Sequence, residues 1–229
     1  MMEMYGIWII FGVFVLISYL VSNRLKSKFK KYSKIPLRSG LTGREVAEKM
    51  LADNGIYNVK VISTPGKLSD HYNPLDRTVN LSREVYSGRS IAAAAVAAHE
   101  CGHAVQHAKA YSFLKMRSTL VPIVSISSRY MQWILLIGIF TVETVPGILF
   151  AGIIMFAITT LFSFITLPVE FNATNRALAW LDRTGLTSGQ EHTYARDALK
   201  WAATTYVVAA IGSLATLLYY VWIFLARRS

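Results

Sequence analysis

One group of residues in this sequence has an evident chemistry, the pentad His99-Glu100-Cys101-Gly102-His103. Two histidines four residues apart on a helix project from one face, about one turn apart, so both imidazoles can bind one metal ion. Glu100 stands where the general base for a metal-activated water would lie. The pentad therefore predicts a catalytic Zn²⁺ site, with His99 and His103 as ligands and Glu100 as the base.

The pentad falls in a segment that the sequence predicts to be a long helix. Ser90 is the expected N-cap, and the helix should run from Ile91 to about Lys109. A glycine inside a helix costs about 1 kcal/mol relative to alanine, so Gly102 indicates that another element comes close at this point. Cys101 points away from the ligand face, and we expect it to be a packing residue.

A catalytic zinc normally has three protein ligands and one open position, so a third ligand is needed. The residues that follow His103 do not extend the motif, and the best candidate is Glu170, which begins the polar segment after a later apolar run. On a continuing helix Ala173 and Ala177 share a face with Glu170. Such a small-residue face would let this helix approach the pentad helix at Gly102.

Long apolar runs predict a membrane protein. The chain has 229 residues, 53% of them hydrophobic, and the apolar residues are concentrated in blocks. We expect one span at 4–22, two spans within 119–169 joined by a turn at 143–147, and a last span at 202–226. The predicted fold class is a mainly α-helical integral membrane protein with about four transmembrane helices.

Basic residues predict the orientation in the membrane. Seventeen Lys and Arg lie between the first and second spans and four between the third and fourth, whereas the intervening turn has none. The positive-inside rule then places both large loops in the cytoplasm. We expect an uncleaved anchor with its N-terminus outside, and a catalytic site on the cytoplasmic side of the plasma membrane. Membrane orientation also explains the net charge of +11, so no nucleic-acid partner is expected.

The predicted domain organisation follows these spans. It consists of an anchor (1–22), a cytoplasmic catalytic segment (23–118), a transmembrane hairpin (119–169), a cytoplasmic segment with the third ligand (170–201) and a C-terminal transmembrane helix (202–229). In the catalytic segment, Thr42 should cap an amphipathic helix ending near Asn54. Short strands are expected at 59–63 and 78–81, either as a small structural β-hairpin or as an edge that pairs with an extended substrate.

Three segments together carry a resemblance to a known family. They are Asp70-His71-Tyr72 with the strand that follows, the pentad with Gln106-His107, and Pro168-Val169-Glu170-Phe171 with Arg176-Ala177. In these segments the chain resembles the neutral zinc metallopeptidases of bacterial membranes, the YugP-like family. The sites of this family are gluzincin-like, which means that an H-E-x-x-H motif is combined with a downstream glutamate ligand. The resemblance implies a peptidase of membrane or membrane-proximal proteins, with one zinc on His99, His103 and Glu170 and with Glu100 as base. Where the family favours Asp-Ala-Ser, this chain has Asn172-Ala173-Thr174, so the residues that orient the histidines stay open.

Two further questions stay open from the sequence. The oxyanion donor could be His71, Tyr72, His107 or Arg176. The alternative function is a non-catalytic membrane scaffold with a structural zinc, in which His71 or His107 would supply a fourth ligand.

Overall fold

The fold is given by a computed structural model that describes residues 2–227. Over this range the elements are α1 (Met2–Tyr32), α2 (Gly43–Asp53), β1 (Lys60–Thr64), β2 (His71–Asn73), β3 (Thr78–Ser82), α3 (Arg83–Tyr86), α4 (Ile91–Ala108), α5 (Ser112–Thr141), α6 (Pro146–Arg183) and α7 (Gln190–Ala226). The ends of the predicted anchor and of the predicted last segment, Met1 and Arg228-Ser229, lie outside the described residues.

Four of these helices are long and apolar enough to cross a membrane, within Trp8–Tyr32, Ser112–Thr141, Pro146–Arg183 and Gln190–Ala226. The prediction of a mainly α-helical membrane protein with four spans is therefore confirmed. The predicted turn between the second and third spans is also present, between the end of α5 and the start of α6. With 38 residues, α6 is about 57 Å long, so it extends well beyond about 30 Å of hydrocarbon.

The chain divides into two compact units. The first, here called the membrane unit, comprises Met1–Leu20, Met116–Leu167 and Thr205–Ser229. The second, the site unit, comprises Val21–Lys115 and Pro168–Thr204. The site unit thus contains the whole of α4 and the C-terminal part of α6, and with them every residue of the candidate site.

The core of the site unit is built where α2 packs on α4. Thr42 caps α2 through a capping box, because its side chain accepts from the Glu45 N–H while the Glu45 carboxylate accepts from the Thr42 N–H. Val46 and Met50 on the apolar face are buried against the alanine-rich stretch of α4. The predicted amphipathic helix and its cap are confirmed.

The sheet corrects one expectation about the strands. The two predicted strands, β1 and β3, exist and are neighbours, but they pair in parallel, with Val61 opposite Val79. The expectation that they form a hairpin with each other was therefore wrong. The hairpin is made by β3 and the short β2, which pair antiparallel, with Tyr72 opposite Val79. The sheet order is β1-β3-β2, so β1 and β2 are the edge strands and β3 is central.

Candidate metal centre

The two histidines of the pentad lie together on α4, as their spacing predicts. Ser90 caps this helix, its side chain accepting from the Ala93 N–H. The His99 and His103 rings meet edge to face with centroids 4.9 Å apart. Their side chains are only 13% and 10% exposed. The helix therefore holds two imidazoles in a nearly enclosed position, one turn apart on one face.

The helix α6 approaches α4 at Gly102, as the sequence predicts. A methyl group added to Gly102 would lie 2.6 Å from the Ala173 carbonyl oxygen, which is closer than any side chain allows. Ala173 and Ala177 are fully buried. Because neither helix has a large side chain at the crossing, the two backbones touch, and this contact places Glu170 beside the histidines.

Glu170 faces both imidazoles through one oxygen. Its Oε2 lies 3.4 Å from His99 Nε2 and 3.6 Å from His103 Nε2, and the ligand-type atoms of the three residues all lie within 4.8 Å of one another. Both separations are longer than a direct N–H···O hydrogen bond, which usually measures about 2.7–3.2 Å. Two ligands about 2.0–2.1 Å from a tetrahedral zinc would be about 3.4 Å apart. The three side chains could therefore hold one metal ion.

Gln106 sets the orientation of His103. This glutamine is fully buried, and its amide nitrogen donates to the Val169 carbonyl at 2.8 Å and to Asn172 Oδ1 at 3.0 Å. Its oxygen must then face His103 Nδ1, at 3.1 Å, and accept a hydrogen bond from it. A neutral His103 consequently presents the bare Nε2 lone pair towards Glu170. Acceptors that converge in this way favour a cation between them.

Thr174 and Arg176 complete the surroundings of the ligands. Thr174 Oγ1 lies 3.2 Å from His99 Nδ1, so it orients the first histidine. Arg176 Nε donates to Asn172 Oδ1 at 2.6 Å. This hydrogen bond holds in place the Asn172 amide oxygen, which also accepts from Gln106. The histidine orienters that the sequence left open are therefore Thr174 for His99 and Gln106 for His103. Sequence reasoning missed the role of Gln106, although its spacing of three residues from His103 was a usable signal.

Electrostatics in this site favour positive charge. Burial lowers the pKa of His103, but the facing Glu170 carboxylate, which can accept a proton from Nε2, and the negative charge of Glu100 outweigh burial and raise the pKa above its ordinary value. Glu100 is itself largely buried, with 8% exposure. Two carboxylates thus stabilise a cation at the imidazoles, whether that cation is a proton or a metal ion.

Cys101 has the packing role that the sequence predicts. Its thiol is fully buried and points to the Ala47 carbonyl oxygen at 3.5 Å. Burial, together with the charge of Glu100, raises its pKa well above the ordinary value for a thiol. A neutral, enclosed thiol is a poor nucleophile.

The Asp70-His71-Tyr72 segment contributes less directly to the site. Asp70 accepts hydrogen bonds from the backbone and hydroxyl of Ser82, at 2.7 and 3.2 Å, and so fastens the start of β2 to the end of β3. His71 is exposed on β2. The Tyr72 hydroxyl reaches α4 and lies 2.7 Å from His107 Nδ1. Of the candidate oxyanion donors, the structure thus brings Tyr72 and His107 together.

Comparison with known proteins agrees with this geometry. The family described as "Putative neutral zinc metallopeptidase" matches residues 7–225. The chain is 42% identical over 212 residues to "Putative membrane protease YugP" of Bacillus subtilis (strain 168), and the match covers 93% of each sequence. No solved structure matches the chain. The chain therefore belongs to the family described as "Putative neutral zinc metallopeptidase", which confirms the resemblance seen in the sequence.

The contact at Gly102 can be tested by adding one methyl group. We expect Gly102→Ala to push α6 away and to lower thermal stability by about 1–3 kcal/mol, with a parallel loss of bound zinc. Gly12→Ala is the control, because a methyl group at Gly12 meets nothing within 4 Å. Metal analysis and thermal unfolding in detergent measure both effects. Full zinc content in Gly102→Ala would contradict the role of this contact.

The role of Gln106 can be tested separately. Gln106→Leu preserves much of the volume but leaves His103 without its acceptor, so we expect zinc affinity to fall by about 10- to 100-fold. Chelator competition measures this affinity without any assay of activity. Gln132→Leu is the control. Gln132 is exposed on α5, so this change should leave the zinc affinity unchanged. Equal affinities for the two variants would show that Gln106 does not orient the ligand.

Proposed function

We propose that this protein is a membrane-embedded zinc-dependent metalloendopeptidase that hydrolyses peptide bonds of membrane or membrane-proximal proteins. In this proposal one Zn²⁺ is held by His99, His103 and Glu170, and Glu100 is the catalytic base. The observation that carries it is the convergence of one carboxylate oxygen and two imidazole Nε2 atoms from α4 and α6. Membership of the family and the four candidate spans support it.

The proposed mechanism assigns a task to each side chain. Zinc in such a site lowers the pKa of water and polarises a carbonyl group. Gln106 and Thr174 hold the imidazoles so that both Nε2 atoms face Glu170. Glu100 takes the proton of the attacking water and delivers it to the leaving amine as the peptide C–N bond breaks. The products are a carboxylic acid and an amine.

The edge strand β2 is the proposed docking site for an extended substrate. Tyr72 on this strand forms a hydrogen bond with His107 on α4, one turn beyond His103. β2 pairs with β3 on one side and has no further strand on the other within the described chain. Backbone pairing along such an edge holds a peptide with little dependence on its sequence.

The proposed location is the cytoplasmic side of the plasma membrane. It follows from the seventeen Lys and Arg between the first two spans and from the absence of Lys and Arg in the turn between α5 and α6. Both large polar segments, one with the pentad and one with Glu170, would then lie on the same side. This placement is required if the two segments are to share one metal ion.

A structural zinc in a non-catalytic scaffold is the competing function. Structural sites usually have four protein ligands. The ligand-type group within residues 2–227 has three members, which favours a site with an open position for water.

Glu100→Gln distinguishes these two functions. We expect this variant to bind zinc as well as the unaltered protein does, because Glu100 is not one of the three ligands. Peptide cleavage should fall by at least about 10²-fold, because the base is lost. Metal analysis and a peptide-cleavage assay in detergent give the two readouts. Undiminished cleavage would refute the assignment of Glu100, and cleavage by neither protein would favour the scaffold.

Glu170→Ala tests the third ligand. We expect the zinc content to drop well below one ion per chain, because two imidazoles alone make an incomplete site. Glu143→Ala is the matched control, since Glu143 lies in the exposed turn between α5 and α6. Unchanged zinc stoichiometry in Glu170→Ala would eliminate this residue as a ligand.

A further inference from the structure

A pocket lies beside the C-terminal end of α4, within the site unit. Its volume is about 250 Å³, and its lining combines apolar side chains, among them Ile56 and Val59, with the polar side chains of Asn58, Tyr72, Arg77 and His107. The metal ligands His99, His103 and Glu170 do not line it. It is therefore a separate cavity with its own chemistry.

The polar lining of this pocket consists of potential hydrogen-bond donors. The Tyr72 hydroxyl and His107 Nδ1 are 2.7 Å apart; when the hydroxyl donates to Nδ1, the proton of a neutral imidazole is on Nε2. Arg77 lines the same pocket as this pair. Burial raises the pKa of Tyr72, and the positive charge of Arg77 opposes this rise. No ion pair to Arg77 occurs in the part of the chain that the structure describes.

The charges around the pocket favour an anion. None of the residues that line it is acidic. Lys109 directly follows Ala108, which lines the pocket at the end of α4. The nearest acidic residue in sequence, Asp76, accepts a hydrogen bond from the Asn73 amide at 2.8 Å. An unpaired guanidinium with this surplus of positive charge is complementary to a carboxylate.

The pocket is within reach of a peptide in the active site. His107 follows His103 by one helical turn, a rise of about 6 Å along α4. An extended peptide advances about 3.3 Å per residue. A group held in the pocket would therefore be about two or three residues from the peptide bond that is cleaved, towards the C-terminal end of α4.

We propose that this pocket is a substrate subsite that binds a carboxylate of the peptide, with Arg77 as the charged partner. The Tyr72–His107 pair supplies hydrogen bonding, and Ile56 and Val59 contact the methylene groups next to the carboxylate. The inference rests on the proposed peptidase function and adds a specificity to it. The carboxylate has two sources, an acidic side chain or the C-terminus of the peptide.

The test compares peptides that differ by one charge. Binding is measured by fluorescence anisotropy on full-length, zinc-loaded Glu100→Gln protein in detergent, so that cleavage does not interfere. One peptide pair has Glu or Gln at the second or third residue from the expected bond, and a second pair has a free or an amidated C-terminus. We expect about tenfold tighter binding of one acidic member, the usual effect of a charge-assisted hydrogen bond in a partly exposed site. The pair that shows the preference identifies the source of the carboxylate.

Variants of Arg77 assign the preference to this pocket. Arg77 has a φ of 53°, a conformation that asparagine tolerates better than most residues, so Arg77→Asn removes the charge with little backbone strain. We expect Arg77→Asn to abolish the tenfold preference and Arg77→Lys to retain part of it. Arg83→Gln, a change at an exposed arginine outside the pocket, should leave it intact.

The outcomes separate this inference from the proposed function. Equal binding of acidic and neutral peptides, or a preference that persists in Arg77→Asn, overturns the subsite. Cleavage of the neutral peptides by the unaltered protein would in that case leave the peptidase function standing. If the unaltered protein neither binds nor cleaves any of the peptides, the proposed function fails and this inference fails with it.

Discussion

The backbone contact between α4 and α6 at Gly102 is the constraint on which the rest of the site depends. Gly102 and Ala173 are separated in sequence by α5 and the N-terminal part of α6, yet a methyl group at Gly102 would already collide with the Ala173 carbonyl. Because a carboxylate side chain is short, Glu170 reaches both imidazoles only when the helix axes are this close. The small residues at the crossing are therefore as necessary for the site as the two imidazoles and the carboxylate.

The polar groups of the site also fix the crossing. Gln106 is the clearest case, because one buried amide contacts the candidate ligand His103, the carbonyl of Val169 and the side chain of Asn172. A buried amide without partners would be costly, so these hydrogen bonds hold α4 and α6 in one register. The residue next to Val169 is Glu170. The same interactions that satisfy the glutamine thus position the carboxylate.

Several parts of this arrangement were predictable because they depend on local spacing. The i, i+4 histidines, the Ser90 and Thr42 caps and the apolar runs each follow from periodicity and end signals, and the structure has them where expected. The strand β2 was missed because three residues are too few to show alternation. The parallel pairing of β1 and β3 was missed because strand direction depends on the path of the chain from 65 to 77, which no local pattern encodes.

Local signals in the sequence were enough to predict the four spans and the three residues that could share a metal ion, because residue type and helical period are local properties. How those residues meet became visible only in the folded chain. It placed one Glu170 oxygen against both imidazoles, chose Thr174 and Gln106 as the orienters, and joined Tyr72 to His107 beside a basic pocket. These outcomes depend on contacts between segments distant in sequence, and such contacts are fixed by packing rather than by local pattern.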